Sequence, residues 1–156
     1  MPDPSIRHTV SRGLVASARV DIDAPIAAVW DALVNPKVIK RYMFGTEVVS
    51  EWKKGSQVTW KGVWQGRAYE DRGRILELKR GRLISYSHYS PLSGLADAPE
   101  NYHVVTVELS TKGKGTAVSL SQDNNPTEEA REHSRRNWET MLASLKKLLE
   151  AKSQRP

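Results

Sequence analysis

His88 is the residue in this chain best placed to do chemistry. Tyr86 and Tyr89 flank it, and His103 lies in the next apolar stretch as a weaker candidate. An imidazole changes charge near neutrality, so it can move a proton to or from a bound molecule, with Tyr42 or Tyr86 as its partner. The same ring can instead hydrogen-bond a ligand, or simply tie neighbouring strands together. All three roles are open at this point. Glu70 and Asp71 are paired carboxylates in sequence, but adjacent strand residues point to opposite faces, so they cannot share one substrate.

Other chemistries find no residues. The chain has no cysteine, and its four histidines are scattered with no HxxxH or HxH pair, so no metal site is expected. No serine sits in a GxSxG elbow, and neither GxGxxG nor a P-loop occurs, so no nucleotide cofactor is expected either. Glu128, Glu129 and Glu132 form an acidic first turn that complements a helix dipole and needs no catalytic role.

The elements that must position His88 are legible. Leu14–Ile22 alternates as a strand. In DIDAPIAAVWDALVNPKVIKRY, Asp23 is the candidate cap and Pro25 the first-turn proline of a helix carrying Ile26, Val29, Trp30 and Leu33 on one stripe. Asn35-Pro36 ends that helix and starts a second short one. Gly45–Trp52 reads as an edge strand. Gln57–Gln65, Ala68–Leu78, Leu83–Tyr89, Tyr102–Ser110 and Thr116–Asp123 follow as strands joined by glycine-bearing turns. Short strands joined by hairpins imply an antiparallel sheet. Asn125-Pro126-Thr127-Glu128 reads as the N-cap, first-turn proline and capping-box glutamate of a last helix. Its buried face is Ser134, Trp138, Met141, Leu142, Leu145, Leu148 and Leu149, through about residue 151.

At 156 residues the chain is one domain, and a chain of this size buries roughly 68–70% of its unfolded surface. That domain is expected over residues 14–151, with a flexible arm at 1–13 and a flexible tail at 152–156. Residues 1–13 hold no apolar run of signal-peptide length, and no later segment approaches a membrane span. Together with the absence of cysteine this points to a soluble cytoplasmic protein without membrane insertion. The formal charge is +6, but the basic residues are dispersed and not interleaved with aromatics, so nucleic acid is not the expected partner.

The segment DAPIAAVWDALVNPKVIKRYMF resembles the opening motif of the activator-of-heat-shock-ATPase homologues, within the START-like (SRPBCC) helix-grip superfamily. WKKGSQVTWKGVWQGRAYEDRGRILELKRGRLISYSHYSPLSG, GTAVSLSQDNNP and NWETMLASLKKLLE extend the likeness over about residues 14–150. The resemblance implies an α+β helix-grip fold: a curved antiparallel sheet of six to seven strands wrapped around a long C-terminal helix, with two short helices after the first strand. Two departures put polar groups near the implied cavity: Tyr42-Met43-Phe44 where the family commonly has Trp-Phe, and His88 where it often has Trp.

Given that fold, a ligand cavity is implied between sheet and helix. Strand parity puts Trp60 with Trp64, Tyr69 with Asp71 and Ile75, Tyr86 with His88, and His103 with Val105 and Val107. Trp30 and Tyr42 from the short helices, and Trp138, Met141, Leu142 and Leu145 from the long one, complete the expected lining. In the loop Ser90–Asn101, Leu92, Gly94, Leu95 and Pro99 either form a lid or pack as a surface loop on a small satellite core. The leading expectation is binding of a small hydrophobic or amphipathic molecule. A cyclase- or aromatase-type enzyme using His88, and a co-regulator of a chaperone ATPase, are the alternatives. A chaperone or a second copy of the chain is a further partner left open.

Overall fold

The computed structural model describes residues 13–153. The arm expected over residues 1–13 lies outside the described residues except for Gly13. The tail expected over 152–156 does too, except for residues 152–153, which continue the last helix.

The chain opens with β1 (Leu14–Ile22), which buries Ala16, Ala18 and Ile22 and exposes Ser17, Arg19 and Asp21. Helices α1 (Ile26–Val34) and α2 (Pro36–Tyr42) follow. They are separate because Asn35, preceding a proline, is held extended; it ends α1 and caps α2, its Oδ1 accepting from the Lys37 N–H at 3.1 Å. The Tyr42 hydroxyl donates to the Ala32 carbonyl at 2.8 Å and folds α2 back onto α1. Asp23 is not the cap of α1. Pro25 occupies that position without a side-chain hydrogen bond, and Asp23, two residues earlier, uses its backbone N–H to bond Glu150 Oε2 at 2.9 Å.

Six further strands complete a seven-stranded antiparallel sheet: β2 (Glu47–Ser50), β3 (Gln57–Trp64), β4 (Arg67–Lys79), β5 (Leu83–His88), β6 (His103–Lys112) and β7 (Gly115–Asn125). Their order is β1-β7-β6-β5-β4-β3-β2, so β2 is an edge strand as expected, though only four residues long. The sheet curves, and Gly73 in β4 marks the tightest approach. A Cβ there would lie 1.7 Å from the Ser87 carbonyl oxygen, so only glycine lets β5 cross at that distance.

Helix α3 (Glu128–Ser153) lies along β1, with further contacts to β7, α1 and α2. Its cap is Thr127, not Asn125: Thr127 Oγ1 accepts from the Ala130 N–H at 3.1 Å, the geometry of an N-cap reaching its third helical residue. Asn125 still belongs to β7. Its amide donates to the carbonyls of Leu14 at 2.9 Å and Gln122 at 3.0 Å, and its Oδ1 accepts from Ser134 at 2.9 Å. Met141, Leu142, Leu145 and Leu149 are buried in the same core as Val105, Val107, Val118 and Leu120. Each such aliphatic side chain contributes on the order of 1.5–3 kcal/mol through burial. Lys146 Nζ, donating to the Asp21 carbonyl at 2.5 Å and to Glu150 at 2.7 Å, fastens the C-terminal half of the helix to β1.

Candidate functional site

The burial pattern divides the inner face of the sheet in two. Beneath the C-terminal half of α3 the side chains are sealed. Around the inner faces of β3 to β6, by contrast, Tyr69, Asp71, Tyr86, His88 and His103 are only half-buried, as is Trp138 on the N-terminal half of α3. Trp60 anchors this second region: its ring centroid lies 5.2 Å from Tyr86 and 5.1 Å from His88, the latter edge-on. His88 in turn stacks with His103 at 6.4 Å. Strand alternation brings these four rings to one face, and the β5–β6 register sets His88 directly opposite His103.

The polar centre of the cluster is an imidazole–carboxylate pair. His88 Nε2 lies 2.8 Å from Asp71 Oδ2. A carboxylate only accepts, so Nε2 donates and the neutral ring presents Nδ1 as an unprotonated acceptor. The other oxygen, Asp71 Oδ1, is the one buried side-chain polar atom without a partner among the described residues. An unmade hydrogen bond of this kind costs roughly 1–3 kcal/mol, which the His88 contact partly offsets. His103 has the opposite polarity. Its Nδ1 faces the Asp123 carbonyl at 2.9 Å and must donate.

Sequence reasoning placed Asp71 on the inner face but did not pair it with His88. Their diagonal relation follows from the Arg72–Tyr89 bridge, and strand parity alone cannot set the register between β4 and β5. Two further polar contacts, each between elements distant in sequence, were also missed. Gln122 Oε1 accepts from Trp138 Nε1 at 2.6 Å, and Thr46 Oγ1 lies 2.7 Å from the Tyr69 hydroxyl. The Tyr69 ring lies across Gly62, where a Cβ would come within 2.5 Å of its hydroxyl.

Tyr42 is buried beside the cluster. Burial, reinforced by the neighbouring Tyr86, pushes its hydroxyl well above the usual phenol range, and that hydroxyl is committed to Ala32. Burial raises the Tyr86 hydroxyl in the same way. Both stay protonated across the physiological range. Met141, Leu142 and Leu145 are sealed core residues of α3.

Two expected lining residues lie elsewhere. Trp64 shares the parity of Trp60 but sits at the tip of the β3–β4 hairpin and is 57% exposed. Trp30 is buried, but it borders a separate open depression of about 480 Å³ with Ile26, Val34, Trp52, Leu78 and Arg80. A second depression, about 440 Å³, lies along Ser17, Arg19, Ser119 and Ser121, on the outward-facing side of β1 and β7. Neither includes Trp60, Tyr86 or His88 in its lining.

The loop after β5 contains two short 3-10 turns, Pro91–Ser93 and Pro99–Asn101. Gly94 supplies the left-handed residue that ends the first, and Pro99 opens the second. Leu92 and Leu95 are exposed, so no satellite core of leucines holds the loop. Polar ties hold it instead. The Tyr89 hydroxyl donates to the Leu95 carbonyl at 2.6 Å, Arg72 lies 3.5 Å from Asp97, and the Tyr102 hydroxyl donates to Asp97 at 2.6 Å. The Asn124 amide donates to the carbonyls of Glu100 at 2.8 Å and Tyr102 at 2.9 Å. Partial burial and the Asp97 contact push the Tyr102 phenol up to about 12.

Among the described residues no group of three or more histidine, cysteine or acidic side chains could hold a metal ion. No helix among them is long and apolar enough to cross a membrane.

A curved antiparallel sheet gripping a long C-terminal helix, with two short helices after β1, defines a helix-grip protein of the α+β class. The sequence model described as activator of Hsp90 ATPase homolog 1-like protein matches residues 23–150, and the chain belongs to that family. The solution structure of ChR145 from Cytophaga hutchinsonii is 55% identical, with 94% of this chain and 100% of that one covered and a TM-score of 0.81. Two more distant structures share the fold. MLL2253 from Mesorhizobium loti is 19% identical over 88% of this chain and 98% of its own, with a TM-score of 0.71. The Aha1 dimer from Colwellia psychrerythraea is 20% identical over 88% and 96%, with a TM-score of 0.68. No curated protein matches the chain.

Proposed function

We propose that this protein binds a small amphipathic molecule between the inner face of β3–β6 and the N-terminal half of α3. One observation carries the reading. The inner face is rich in aromatic rings and polar tips that are only half-buried, although they point toward the interior. A core that merely filled itself would seal these groups, as the Leu142–Leu145 region does. Rings with a few convergent polar groups are what small-molecule sites use. A cytoplasmic setting fits the absence of cysteine.

Native mass spectrometry of protein purified without denaturant tests this directly, together with thermal shift against a panel of aromatic and lipid-like compounds. A ligand bound only by the folded state raises the melting temperature. A flat response across the panel and a mass spectrum free of adducts would defeat the proposal.

An enzymatic reading of the same site is favoured by the 2.8 Å contact between His88 and Asp71. The carboxylate orients the ring and keeps its proton on Nε2, so Nδ1 can act as a general base toward a bound substrate. The step requires a substrate with an acidic proton beside Nδ1. His88→Gln should then abolish turnover while ligand binding persists. A role toward a chaperone ATPase rests on the family's description alone.

A further inference from the structure

We infer that the polar end of this site is built for a hydroxyl group, so that the ligand is a neutral phenol or alcohol on an apolar frame and not a carboxylate. The inference rests on the binding reading above and gives it a chemical class. Two interior polar atoms, the Tyr86 hydroxyl and His88 Nδ1, have no hydrogen-bond partner among the described residues. Neither is the sealed, partnerless atom, since that is Asp71 Oδ1, so both border accessible space. They lie two residues apart on one face of β5, with both rings against Trp60.

Their hydrogen-bonding senses differ. Asp71 holds the His88 proton on Nε2, leaving Nδ1 able only to accept. Burial keeps the Tyr86 phenol protonated, so it can donate. One small group satisfies both at once: a hydroxyl, which donates its proton to Nδ1 and accepts from Tyr86. An ether or ketone cannot donate to Nδ1. A carboxylate cannot either, and it would also bring a second negative charge near Asp71 in a poorly solvated place.

The test uses the full chain and three matched probes: 2-naphthol, 2-methoxynaphthalene and 2-naphthoate, titrated calorimetrically near neutral pH. The naphthol should bind roughly tenfold tighter than the ether, the worth of one ordinary hydrogen bond, and the acid should bind weakest. Tyr86→Phe removes only a hydroxyl that has no partner among the described residues, so its fold is safe; it should weaken naphthol several-fold. His88→Phe should erase the naphthol-over-ether preference, and if that variant fails to fold, the probe series and Tyr86→Phe decide the matter. Equal binding of naphthol and ether, or tighter binding of the acid, overturns the hydroxyl assignment while leaving the ligand site standing. Binding of none of the three overturns both.

Discussion

Gly73 and the carbonyl of Ser87 approach so closely that a methyl group on the glycine would sit 1.7 Å from the oxygen. The contact lies where β4 crosses β5, one residue after the Arg72–Tyr89 bridge, and it sets how Asp71 meets His88. A backbone carbonyl cannot swing away as a flexible side chain would. Gly73→Ala should therefore destabilise the fold by about 3 kcal/mol or more, beyond ordinary overpacking, as read from a urea midpoint. A loss below about 1 kcal/mol would show that the strands can separate there at little cost.

The two stacked histidines should carry their protons on different nitrogens. His88 bonds a carboxylate through Nε2, and His103 bonds a backbone carbonyl through Nδ1. Imidazole ¹⁵N spectra above the histidine titration range should show one Nε2–H and one Nδ1–H tautomer. In Asp71→Leu the His88 tautomer should lose its bias while that of His103 persists. Identical tautomers in the parent protein would contradict the arrangement of the site.

Burial separates the consequences of two expected lining residues. Leu145 is fully sealed in the α3 core, and Leu145→Ala should cost about 2–5 kcal/mol. Trp64 projects from a hairpin tip, and Trp64→Ala should change stability by no more than about 0.5 kcal/mol despite the larger truncation. Denaturant titrations of the pair check the contrast, and similar losses at both sites would contradict it.

Acid should loosen the C-terminal end of α3. Lys146 and the Asp23 backbone N–H hold the Glu150 carboxyl below the usual glutamate value of 4.5, and Lys112 similarly lowers Asp21. A depressed folded-state value means the stabilising contribution is present above about pH 4.5 and is lost as pH falls through the folded value. Glu150→Gln should be less stable than the parent at neutrality and should lose less stability between pH 5 and about pH 3. Chemical denaturation across that range measures the difference in slope, and parallel curves would remove Glu150 from the account.

Much of the scaffold was legible because it depends on local chemistry. The alternation in β1, the Asn35-Pro36 break, the edge position of β2 and the apolar face of α3 follow from side-chain periodicity and from what proline forbids. Both helix caps were misplaced by two residues. Capping depends on which oxygen the last extended residue can swing toward an N–H, and Asn125 was already held by Leu14 across the strand pair and by Gln122 within its own strand.

Which residues of each strand share a face was likewise readable from residue parity, whereas the choice of the inner face, and with it the company of Trp60, Tyr86, His88 and His103, came from the family resemblance. Parity says nothing about register, strand length or where the helix ends its cover. Those were decided in three dimensions, by the Arg72–Tyr89 bridge that sets Asp71 diagonal to His88 and by a hairpin whose tip leaves Trp64 in solvent. Side-chain alternation is a property of one strand, whereas a hydrogen bond between two strands exists only once their relative shift is set by every other contact in the sheet.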